Sequence, residues 1–69
     1  MVEVFKTNVS SQGDAHLVVA WLKEHFPDTR INFDLQDCDR ILRVEGKELS
    51  PLQIMMRMQE RGYCCTVLE

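Results

Sequence analysis

A chain of 69 residues is near the lower size limit for a self-sufficient hydrophobic core. It buries only ~60% of the surface its unfolded form exposes, so most apolar residues should be committed to that core. The apolar fraction, 45%, is that of a globular domain, and no apolar run approaches the length needed to span a bilayer, so no membrane partner is expected.

A formal charge of −3, from 8 Lys and Arg against 11 Asp and Glu, comes with no basic cluster, which argues against nucleic acid as a partner. Three cysteines, two of them adjacent, give an odd count without staple-like spacing; reduced thiols fit this better than disulfides. Residues 1–6 lack the basic region and apolar stretch of a secretory signal, so a cytoplasmic location is expected.

Residues 2–9 are rich in β-branched and aromatic types and read as a first strand, with Phe5, Thr7 and Val9 sharing one face. Ser11-x-x-Asp14 has the form of a capping box. It opens a helix whose apolar positions Val18, Leu22 and Phe26, joined by Ala15, Trp21 and His25, run to Pro27. Ile31, Phe33 and Leu35 alternate with Asn32, Asp34 and Gln36, the period of a half-buried strand. Asp37-Cys38-Asp39 reads as a turn, and residues 41–45 form a third strand with Leu42 and Val44 inward. Ser50-Pro51-Leu52-Gln53 is a second capping box opening a helix over 51–61, with Gly62 placed as a left-handed C-cap. Residues 63–68 form a last strand, with Cys65 and Val67 on one face and Cys64, Thr66 and Leu68 on the other.

The βαββαβ order predicts one ferredoxin-like α+β domain over residues 1–69, with two helices on one face of a four-stranded antiparallel sheet. Right-handed crossovers put the first and third strands in the centre.

Phe5-x-Thr7-x-Val9, Val18-x-x-x-Leu22, Ile31-x-Phe33-x-Leu35, Leu42-x-Val44-x-Gly46, Ser50-Pro51-x-x-Ile54 and Gly62-Tyr63 together resemble heavy-metal-associated domains. These are the family of small copper chaperones and the N-terminal modules of copper-transporting ATPases. The likeness covers nearly the whole chain but lies in core and cap positions, so it implies fold more than activity. The family's Met-Thr-Cys-x-x-Cys motif corresponds here to the stretch Val9-Ser10-Ser11-Gln12-Gly13-Asp14. Two thiolates at a helix N-terminus suit Cu(I) or Zn²⁺, whereas a hydroxyl and a carboxylate do not. No metal is therefore expected at the degenerate positions Ser11 and Asp14, and no cofactor elsewhere; both residues are expected to act as caps.

Alternative soft ligands are Cys38, Cys64, Met55 and Met58. A methionine stripe such as Met55, Met56 and Met58 is more often adaptable core filling, and adjacent strand residues such as Cys64 and Cys65 point to opposite faces. Cys65 is expected in the core and Cys64 on the open face, while Asp37 and Asp39 should blunt the reactivity of Cys38. His16 and His25 are about 13 Å apart along the helix axis, too far for joint ligation. No nucleophile elbow or glycine-rich phosphate loop is present, so an enzyme is not expected. Acylphosphatases share this fold class but need an Arg in the first loop, which has no basic residue here. RNA-recognition motifs share the element order, but their stacking aromatics are missing from the open face.

That open face should carry Val2, Val4, Ile41, Cys64 and Leu68 among Lys6, Asn32, Asp34, Arg43 and Thr66, more apolar than a wet sheet face usually is. The expected function is a non-catalytic interaction module, self-associating or docking a protein partner through this face. The competing expectation is a copper or zinc carrier using the displaced Cys and Met ligands.

Overall fold

The computed structural model describes residues 1–36 and 38–68. Its elements are β1 (Val2–Thr7), α1 (Gln12–His25), β2 (Arg30–Asp34), β3 (Ile41–Glu45), α2 (Pro51–Glu60) and β4 (Cys65–Val67). The strands form one antiparallel sheet in the order β2-β3-β1-β4, so β1 and β3 are central as expected. This is the α+β ferredoxin-like arrangement.

Strand alternation assigns the two faces. Phe5 is opposite Leu42 and Val67, and Thr7 is opposite Cys65, which places these residues on the helix-covered side. Ala15, Val18 and Leu22 recur on one stripe of α1, and Ile54 and Met58 on one stripe of α2; all are buried. Phe5, Leu22, Leu42 and Met58 are wholly inaccessible. At about 1.5–3 kcal/mol per large side chain, they form the centre of the stabilising core.

Several element ends differ from expectation for reasons of hydrogen bonding. β1 stops at Thr7, although Val9 remains buried. β4 starts only at Cys65, because the Cys64 N–H donates to Asn8 Oδ1 at 2.9 Å and the Tyr63 N–H to Met58 O at 3.1 Å. β2 ends at Asp34, whose Oδ1 accepts from the Gln36 N–H at 3.2 Å, a local side-chain turn that competes with the ladder. In the turn that follows, Asp37 lies outside the described residues, and Arg40 takes a left-handed φ of 49°.

The end of α2 is a Schellman motif. Gly62 has φ 86°, its N–H donates to Gln59 O at 2.9 Å, and the Tyr63 N–H closes the outer bond to Met58. A Cβ on Gly62 would meet no atom within 4 Å, so a side chain there is opposed by the backbone conformation alone. Gly62→Ala should therefore lower stability by about 1 kcal/mol in urea melts, with no change in the cooperativity of unfolding.

Candidate functional site

The residues singled out from the sequence fall into three groups: those where β1 leaves the sheet, the scattered sulfur and imidazole side chains, and those on the face opposite the helices.

Where β1 ends, Thr7 is 93% shielded, with 7% of its surface exposed. Its N–H donates to Asp39 O at 3.1 Å and its hydroxyl to Arg40 O at 2.6 Å, while the same hydroxyl accepts from the Val9 N–H at 3.3 Å. These bonds lead the chain into the α1 cap. Ser11 has extended backbone angles (φ −126°, ψ 153°), and its Oγ accepts from the Asp14 N–H at 3.1 Å, as an N-cap does. The capping box is only half made, however. The Asp14 carboxylate does not return a bond to the Ser11 N–H, and its contribution is a negative charge in the first turn, favourable to the helix dipole.

The four alternative ligands are not brought together. Met58 is sealed in the core, and Met55 packs half-buried against the same cluster. Cys38 and Cys64 are exposed, beside strands that flank β1 on opposite sides. Cys65 is buried, and desolvation pushes its thiol up to about 12. His16 is exposed beside β2, and the exposed His25 sits edge-on to Trp21 with ring centroids 5.5 Å apart. Among the described residues, no group of three or more His, Cys, Asp or Glu side chains is placed to hold a metal ion. No helix among them is long and apolar enough to cross a membrane.

On the open face, Val2, Val4 and Lys6 of β1 stand opposite Glu45, Arg43 and Ile41. The Leu68 N–H donates to Val4 O at 2.8 Å, which brings Leu68 beside the two valines. Val2 and Leu68 are 51% and 41% exposed, and Val4 is half-buried. Met1, not singled out from the sequence, is 64% exposed and adjoins them in the chain.

Two of the five expected patch residues do not join this corner. Ile41 lies on the open face as read but is only 6% exposed, flanked by Lys6 and Asp34 across the two neighbouring strands. Lys6 is further drawn over that end by its 3.6 Å pair with Asp39. Cys64 is at the opposite end of the β1–β4 ladder, tied to Asn8. Sequence reading also missed Leu17 and Leu52, exposed on the outer sides of the helices, while Met56, read with Met55 and Met58 as core filling, is exposed as well. The four-residue spacing of Leu52 and Met56 was the available signal for that pair.

Comparison with protein-family models, curated proteins and solved structures gives no match, so the functional reading rests on this geometry.

Three outcomes follow for the loop and the thiols. Ser11→Ala should reduce stability by about 1 kcal/mol in urea melts, and Ser11→Asp should be close to neutral. A thiol reagent should reach Cys38 and Cys64 in the folded protein and Cys65 only as the protein unfolds. Because the folded state raises the Cys65 pKa from 9.0 to about 12, it binds the thiol proton more tightly than the unfolded chain does. The Cys65 contribution is thus complete below about pH 9 and is lost as pH rises towards 12, with a slope on the order of 1 kcal/mol per pH unit. The difference in stability between wild type and Cys65→Ala, measured across that window, should shrink accordingly.

Proposed function

We infer that this chain is a non-catalytic protein-interaction module, similar to a heavy-metal-associated domain in its core pattern but with the metal-binding loop turned into a helix cap. Its docking surface is the apolar corner of the open face formed by Val2, Val4 and Leu68. The observation that carries this reading is the adjacency of the three, fixed by the Leu68–Val4 hydrogen bond, with the first and last about half exposed. Apolar side chains exposed together on a sheet face are a common mark of a contact site.

The loop supports the same conclusion. The Ser11 hydroxyl is already engaged by the Asp14 N–H, and Met58 and Cys65 have their sulfur atoms in the core. A second reading, a soft-metal carrier with displaced ligands, draws on one observation: Cys38 and Cys64 are both exposed near the same end of β1, through Asp39 and Cys65, which each pair with Thr7.

Leu68→Asp places a charge in the corner without touching the core, and should change stability by no more than about 0.5 kcal/mol. Ile41→Asp is unsuitable, because it would bury that charge. Affinity capture from source cells should recover a partner with wild type and lose it with Leu68→Asp; capture indifferent to the substitution sinks the docking reading. In a competition with a chromophoric Cu(I) chelator, wild type should withdraw no stoichiometric metal. One equivalent withdrawn, and lost in Cys38→Ser or Cys64→Ser, would establish the carrier instead.

A further inference from the structure

β2 is an outer strand that pairs on one side only, with β3. Its register runs unbroken from Arg30 opposite Glu45 to Asp34 opposite Ile41, so no bulge twists its free side away. Among the described residues, no backbone hydrogen bond from outside the sheet reaches residues 30–34. Alternate N–H and C=O groups of a regular five-residue strand are therefore left as a template for another strand. The other edge, β4, has only three residues. Alongside β2 runs a groove of about 380 Å³ between strand and α1, where Ala15, His16, Val19 and Ala20 face Ile31 and Phe33. Both of these strand residues remain half-buried.

The sequence of the strand indicates what fits there. Arg30-Ile31-Asn32-Phe33-Asp34 is self-complementary when turned end for end about Asn32: Arg30 meets Asp34, Ile31 meets Phe33, and Asn32 meets itself. The geometry points to a second copy of this chain pairing antiparallel along β2 in this register, joining two four-stranded sheets into one of eight. The two-fold axis is then perpendicular to the sheet, so the helices of both copies lie on one side and the two α1 helices flank the joined Ile31 and Phe33 side chains.

Neighbouring registers are worse. Centring on Ile31 sets Asp34 against Asp28, and centring on Phe33 sets Arg30 against Gln36 and Asp34 against Asn32. The charges are available for the match: the Arg30 side chain is 85% exposed with only a 4.0 Å contact to Glu45, and Asp34 engages one oxygen with the Gln36 N–H. Cross-strand ion pairs are individually weak, so they select the register while the backbone ladder and the groove drive association. A strand this short gives a small interface and a weak, concentration-dependent dimer.

Sedimentation equilibrium at low ionic strength, from micromolar to millimolar protein, is the test. Wild type should approach twice its monomer mass. Arg30→Asp sets two carboxylates opposite each other in both halves of the ladder, and Asp34→Arg does the same with two guanidinium groups; each should weaken association by about tenfold. An equimolar mixture of the two variants pairs opposite charges again and should recover wild-type association, as should the double variant Arg30→Asp/Asp34→Arg. Both positions are exposed, and circular dichroism verifies that each variant keeps the fold. Leu68→Asp should leave the dimer intact.

Wild type that stays monomeric at millimolar concentration overturns the proposal. So does a dimer indifferent to either charge reversal, or one that the mixture fails to restore. A dimer abolished by Leu68→Asp but not by the reversals would assign self-association to the open face instead.

Discussion

The rest of the molecule is arranged around one buried threonine at the end of the central strand. Thr7 must leave the sheet with its polar groups satisfied in a place where water is excluded, and three bonds do this: to Asp39 O, to Arg40 O and from the Val9 N–H. On its other side, Thr7 is the register partner of Cys65, the first residue of β4. A single position thus fixes the β2–β3 turn, the start of β4 and the direction in which the chain approaches the Ser11 cap. It also accounts for Arg40, a non-glycine residue at φ 49°. A left-handed residue is disfavoured by about 1–2 kcal/mol, and here its carbonyl is held in place by the short 2.6 Å bond from the Thr7 hydroxyl.

What could be read from the sequence was periodic or chemical. Strand alternation placed Phe5, Leu42, Val44 and Cys65 inward, and they are buried; helical spacing placed Ala15, Val18 and Leu22 inward, and they are buried too. Ser11, Ser50 and Gly62 have side chains, or lack one, in a way that only helix termini exploit, and all three occupy those termini. What could not be read depended on bonds between distant residues. No local signal marks Arg40 as left-handed, because the reason lies at Thr7. None shortens β4, because the Cys64 N–H is taken by Asn8, 56 positions earlier.

Ile41 marks the same limit within the candidate site. Its face was assigned correctly by alternation, but its burial is set by the company it keeps on both adjacent strands, which periodicity does not encode. The apolar surface expected near the middle of the sheet is instead concentrated at one corner, where β1 begins and the chain runs beyond β4. The central part of the open face is left to Arg43, opposite Val4 on one side and Asn32 on the other.

The two margins of the sheet consequently have different characters. Beside β4, a strand of only three residues, the Leu68–Val4 bond extends pairing past the strand and sets an apolar side chain next to Val4. At β2, the strand is longer and regular, and its unpaired groups are backbone. An apolar corner suits recognition of a shaped partner surface, whereas a bare ladder suits another strand, so the two contacts are chemically distinct. The nearest part of the corner, Val2 and Val4 on β1, is also separated from β2 by the strand β3, two steps of about 4.8 Å. A copy paired along β2 would therefore leave the Val2–Leu68 corner of each chain uncovered. Since a perpendicular two-fold axis keeps each face of the sheet on its own side, both corners would point the same way, and a partner with two matching sites could engage them together with the gain that bivalency brings.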